Sequence, residues 1–142
     1  MTQEVSKVAR PTVRPPICAD DRWYPASPDA LRHKVKDYVE SASALDLPGE
    51  VVGLVAPHAG YLFSGHVAGA SYRQVQGNRY DTIVLVGPDH RGIAAGELAF
   101  ADFDAWHTPL GDVPVDREMV AVLDKRLSLR RIGRDSEHSL EV

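Results

Sequence analysis

His58 and His90 arrive by nearly the same route. One sits in Leu54-Val55-Ala56-Pro57-His58-Ala59-Gly60, the other in Leu85-Val86-Gly87-Pro88-Asp89-His90-Arg91-Gly92. Each stretch is an apolar run of strand type that breaks at a proline, delivers a histidine and has glycine close behind. If both runs are parallel strands of one sheet, they lie about 4.8 Å apart and end on the same edge. Imidazole nitrogens bind zinc or iron-like ions at about 2.0–2.1 Å, so the two side chains could grip a single ion. The carboxyl edge of an α/β sheet is also where ligands usually bind. The bland alternative, that each histidine merely caps a strand, suits either one alone better than the echoed pair.

Two histidines do not complete such a centre. Catalytic zinc takes three protein ligands, and non-haem iron commonly takes two histidines, one carboxylate and open positions. Asp89, Glu97, His107, His138 and Glu141 all remain open as the third, because spacing does not choose among them. His138 stands in the polar cluster Glu137-His138-Ser139-Leu140-Glu141. Folded over the crevice, it would serve as a general acid–base or a third ligand, with Glu137 or Glu141 orienting its ring. Otherwise the cluster is a solvated helix start capped by Ser136. Tyr61 points its hydroxyl into the crevice or only packs its ring, and Ser64 has a capping duty. His33 and His66 read as helix-face residues, Asp102, Asp104 and Asp112 as loop acids, and Cys18 as a small buried hydrophobe rather than a reactive thiol. The glycines around His90 lack the lysine and spacing of a phosphate-binding loop.

The elements that must carry these residues can be read from caps and periodicity. With 142 residues, 44% hydrophobic and 25% charged, the chain is long enough for one domain with a buried core. A net charge of −4 with scattered Lys and Arg gives no footprint for nucleic acid. The apolar runs are too short to span a bilayer, the N-terminus lacks the apolar core of a secretory signal, and a single cysteine suits a reducing cytoplasm. Residues 1–26, with Pro11, Pro15, Pro16 and Pro25, are expected to form an extended arm anchored by Ile17, Trp23 and Tyr24. Residues 27–142 form the α/β domain. Ser27-Pro28-Asp29 predicts a helix start, followed by Leu31, Val35, Tyr38 and Val39 on one face. Residues 51–56 and 82–86 predict two strands, with a helix between them that carries Val67, Ala70, Ser71 and Val75 on one side. Strand, helix, strand is a βαβ unit with a right-handed crossover. Residues 97–103 predict a third extended run, Asp116 caps a further helix bearing Met119, Val120, Leu123 and Leu127, and another helix begins after Gly133.

Five motifs in order resemble the Memo family, known in prokaryotes as protein B of the AmmeMemoRadiSam system. They are Ala56-Pro57-His58-Ala59-Gly60-Tyr61 with Ser64-Gly65, Gly87-Pro88-Asp89-His90, Ala105-Trp106-His107-Thr108-Pro109-Leu110-Gly111, Val113-Pro114-Val115-Asp116 and Glu137-His138-Ser139-Leu140-Glu141. The similarity runs from about residue 10 to the end of the chain.

The resemblance implies a mixed, partly parallel sheet flanked by helices, like that of the third class of extradiol ring-cleaving dioxygenases. It implies that His58 and His90 bind metal, Fe2+ above Cu or Zn, and that His138 does acid–base work beside them. Tyr61, Asp89 and His107 would then line the substrate side; the family often has Ser or Asn at the position of Asp89 and Glu at that of His107. Memo-like chains continue past this last motif and place a further ligand, typically cysteine, in the continuation. The sequence therefore resembles the N-terminal portion of such a protein, expected to self-associate or to be complemented by a C-terminal part. The expected function is redox or oxygen-dependent chemistry on an unknown small molecule. A non-catalytic module binding a ligand or peptide, and a zinc hydrolase, are the alternatives.

Overall fold

Helix α1 spans Pro28–Ser41 and starts where its cap predicts. The Ser27 side chain accepts from the Ala30 backbone N–H, proline stands in the first turn, and Asp29 places negative charge at the positive end of the helix. Leu31 on its apolar face is buried. Helix α2 spans Tyr61–Arg73 and packs against α1. It begins directly behind the first histidine loop, with Gly60 as its cap residue. Ser64 is therefore inside the helix, where its hydroxyl donates to the Ala59 carbonyl at 2.9 Å instead of capping. Helix α3 spans Arg117–Leu127, and Asp116 caps it by accepting from Met119 N, as expected.

This computed structural model describes residues 12–132 and 137–142. Over them the chain is mixed α/β, with the helices joined by two small sheets. In the first sheet, β1 (Val13–Arg14) pairs in parallel with β3 (Ala105–Thr108), which pairs antiparallel with β4 (Gly111–Pro114). In the second, β2 (Ala99–Ala101) pairs in parallel with β5 (Arg130–Ile132). β2 lies within the run expected at residues 97–103. The arm is more than an extended strap, since β1 enters a sheet and places Arg14 opposite Trp106. The first eleven residues of the arm, and the helix start expected after Gly133 with Ser136 as cap, fall outside the described residues. Residues 139–141 form a turn.

The βαβ expectation is corrected. Its helix forms, but residues 51–56 and 82–86 are unpaired. An apolar parallel strand is stable when neighbours satisfy its backbone and helices cover both faces. Among the described residues these conditions are unmet, and Val52, Val55 and Val86 stand 96%, 94% and 85% exposed. Among the described residues one side-chain hydrogen bond reaches each segment: Ser71 Oγ donates to the Val55 carbonyl at 3.1 Å, and Thr82 Oγ1 to Asp116 Oδ2 at 2.5 Å.

The buried centre lies elsewhere, where arm, helices and chain end meet. Cys18, Tyr24 and Leu31 are buried there, with Trp23, Tyr61 and Val142 packed around them. Burial and the neighbouring Glu141 carboxylate push the Cys18 thiol up to about 11, which matches an inert hydrophobe. No helix among the described residues is long and apolar enough to cross a membrane.

The contact between α1 and α2 depends on two glycines one turn apart. A Cβ on Gly65 would stand 2.3 Å from Tyr38 Cε2, and one on Gly69 would stand 2.4 Å from the Tyr38 carbonyl oxygen. The ring of Tyr38 can rotate away, whereas its backbone cannot. Gly69→Ala is therefore expected to destabilise the fold by about 1–3 kcal/mol despite the better helix propensity of alanine. Gly65→Ala should cost less. Thermal unfolding of the two variants checks the order.

Candidate metal centre

Each histidine loop is docked by a close approach at a glycine. In the first, Tyr61 N donates to the Trp23 carbonyl at 2.7 Å, and a Cβ on Gly60 would sit 3.2 Å from the Arg22 carbonyl oxygen. The arm thus fixes the exit of His58. In the second, a Cβ on Gly87 would meet Leu140 Cδ2 and Ser139 Oγ, both at 2.7 Å. Ser139 Oγ donates to the Pro88 carbonyl at 2.8 Å, so the 137–142 turn fixes the exit of His90. The histidines meet although their strands do not pair.

His58 Nε2 and His90 Nε2 lie 3.3 Å apart. Two nitrogens bound to one ion at 2.0–2.1 Å, with tetrahedral bond angles, would stand about 3.3–3.4 Å apart. The same spacing is long for a hydrogen bond, where about 2.9–3.0 Å is usual. The ring planes are inclined at 55°, so they intersect and can share a point. His138 joins them, and one ligand atom from each of the three lies within 4.8 Å of the others. Its ring lies against His90 with centroids 4.6 Å apart and planes 26° apart, and stands 5.9 Å from His58 with planes 53° apart. His138 thus stands within reach of the His58–His90 point, where a third ligand or an acid–base group would stand. Its other neighbour is the Trp23 ring at 4.6 Å.

Glu137 organises both. Its Oε1 accepts from His90 Nδ1 at 2.8 Å and from the backbone N–H groups of His138 and Ser139 at 2.9 and 3.0 Å. Its Oε2 accepts from His90 N at 2.7 Å, and His138 Nδ1 lies 3.2 Å from Oε1. Burial opposes the charge, but the bonds from the His90 ring and from the Ser139, His90 and His138 backbone outweigh it and hold the carboxyl down at about 2. An ionised carboxylate only accepts, so His90 Nδ1 carries the proton of this bond and Nε2 is the nitrogen left to face His58 and an ion. The donor set, its spacing and this carboxylate–histidine pair fit a zinc- or iron-like ion.

The other expected site residues lie outside the cluster. Tyr61 packs its ring near Tyr24 and Tyr38, at 5.7 and 6.4 Å, and burial raises its hydroxyl. Asp89 accepts from Ala94 N at 2.7 Å and Arg91 N at 3.1 Å, and these bonds hold its carboxyl below the usual range while it shapes the turn behind His90. His107 pairs with Asp112 at 2.6 Å across the β3–β4 hairpin. Of the other third-ligand candidates, Glu97 faces Arg130, and Glu141 is engaged by Arg14, Tyr24 and the arm backbone. Sequence reasoning named Trp23 only as an anchor of the arm and passed over Arg14, because neither belongs to a histidine motif and both come from the proline-rich arm.

A family model described as Memo-like protein matches residues 14–142. The chain is 38% identical over 122 residues to a MEMO1 family protein of Methanosarcina barkeri, covering 85% of this chain and 44% of that one. It is 44% identical over 120 residues to one of Pyrobaculum aerophilum, covering 80% and 41%. A third, of Methanocaldococcus jannaschii, is 32% identical over 133 residues, covering 84% and 46%. The chain thus spans less than half the length of the curated relatives it matches.

Glu137→Gln presents an amide to His90 Nδ1 and no longer enforces the tautomer. Affinity for Zn2+ in calorimetric titration is expected to fall by about 10–100-fold with helix content unchanged. Unchanged affinity would remove Glu137 from the centre.

Proposed function

The chain belongs to the Memo-like family, and on that premise we propose that it carries the mononuclear metal site of a non-haem iron protein acting on a small molecule. His58 and His90 are the two protein ligands in this reading, and the observation that carries it is the 3.3 Å separation of their Nε2 atoms. Iron held there would supply redox and Lewis-acid chemistry at positions the protein leaves open.

The remaining work belongs to the side chains. Glu137 fixes the ring and tautomer of His90, so that one nitrogen is committed to the ion before it arrives. His138, against the pair and with Nδ1 near the Glu137 carboxylate, is placed to take a proton from a bound substrate or return one. The Trp23 ring covers part of His138 and limits water on that side. An apolar hollow of about 370 Å³, walled by Leu85, Val86, Phe100, Trp106 and Ile132, reaches Glu137. Its size suits a small organic substrate better than a folded partner. A fold akin to that of the extradiol dioxygenases is part of the same proposal and rests on the motif resemblance.

Anaerobic loading followed by metal analysis and nitric oxide spectroscopy tests this reading. One iron per chain, with the half-integer-spin signal of an iron site open to nitric oxide, is the expected result. His138→Ala should keep the iron, while His58→Ala and His90→Ala should each lose it. Stoichiometric zinc with no affinity for iron would favour a hydrolase on the same two ligands. No stoichiometric metal would leave a ligand-binding module.

A further inference from the structure

We infer that Arg14, a residue of the arm, is the positioning residue for His138 and Glu137. The juxtaposition that carries this is a buried guanidinium fork gripping the 137–142 turn on both sides of His138. Arg14 is 1% exposed. Its Nη2 donates to the Glu137 carbonyl at 2.7 Å, and its Nη1 to Glu141 Oε2 at 2.5 Å. The guanidinium lies over the Trp106 ring, 4.2 Å from its centroid, which fixes the plane of the fork.

Both contacts bear on His138. The Glu137 carbonyl belongs to the peptide unit whose N–H is that of His138, and this N–H in turn donates to Glu137 Oε1 at 2.9 Å. The unit is therefore held at both ends. On the far side, Glu141 N and Val142 N donate to the His138 carbonyl at 2.9 and 3.1 Å. The Glu141 carboxylate is itself tied to Tyr24 Oη, Ile17 N and Cys18 N. Fixing the backbone on both sides of His138 sets where its Cβ starts, and the Trp23 and His90 rings then select the one rotamer that lies between them. The backbone grip also sets the Glu137 carboxylate that holds His90.

Lysine retains the charge of Arg14 but is a point donor and cannot span two acceptors on a planar fork. Arg14→Lys and the parent 142-residue chain, each with carbon-13-labelled histidine and tyrosine, are compared by NMR without metal. The Trp23 ring displaces the His138 ring signals in the parent. In Arg14→Lys they are expected to move toward those of exposed His33, with the Tyr38 signals unmoved. Unmoved His138 signals in a folded variant would overturn the inference. If Arg14→Lys does not fold, Tyr24→Phe loosens Glu141 by one bond, and a smaller displacement in the same direction is expected, with none overturning it.

A second arm rests on the metal reading. Zn2+ affinity should drop about tenfold or more in Arg14→Lys, and less than about twofold when the substitution is added to Glu137→Gln, because the effect passes through the turn. Equal losses in both backgrounds would mean a merely structural arginine and overturn the inference. A parent chain that binds no metal but shows the His138 displacement would sink the metal reading and leave the positioning role standing.

Discussion

The Glu141 carboxylate is shut away from water, and a buried charge must find its solvation in the protein. Among the described residues it finds it in the N-terminal arm. Arg14 supplies the opposite charge with side-chain exposures of 1% and 5% for the two partners, and Ile17 N, Cys18 N and Tyr24 Oη complete the shell. Burial alone would raise the carboxyl, and these partners together hold it below its usual range. The pair joins residues 127 positions apart, so the two ends of the described chain are stapled at one point. Removing one partner of a buried pair typically costs about 3–5 kcal/mol, because the other is left charged in a poor solvent. The buried cluster of Cys18, Tyr24 and Leu31 lies around the same staple.

From that staple the two histidine loops acquire their places by different routes. The arm continues from Cys18 to Trp23, whose carbonyl receives Tyr61 N and sets the first loop. The turn carries Glu137 and Ser139, which bind the ring and backbone of His90 and the carbonyl of Pro88. Nothing in this arrangement requires the two apolar runs to pair. The arm and the 137–142 turn shape the centre: the Glu137 carboxylate orients the His90 ring, the Trp23 ring packs on His138, and His58 is delivered by the loop that the arm docks.

Local signals in the sequence were reliable where local physics decides the outcome. Ser27 and Asp116 cap the helices their side chains can reach, whereas α2 begins at Tyr61, ahead of the cap expected at Ser64. The echoed proline–histidine motif pointed to His58 and His90, and the motif series to the Memo-like family. The expected strands at 51–56 and 82–86 depend on partners and cover far away in the chain, which apolar runs cannot report. Arg14 was invisible for a related reason. An arginine in a proline-rich stretch has no local mark of burial, and its importance comes from a glutamate at the other end of the chain. Tyr61, Asp89 and His107 are near the histidine loops in sequence or motif, but their side chains are committed to packing, turn and hairpin contacts.

The central claim is that the rings of His58 and His90 converge on a point the size of one metal ion. X-ray absorption at the metal edge of the iron-loaded chain tests it most directly, because imidazole rings leave a distinctive multiple-scattering pattern. The account expects two imidazoles in the coordination shell and one in the shell of any iron that remains bound to His90→Ala. A shell of oxygen atoms alone, or a spectrum that His90→Ala leaves unaltered, would contradict it.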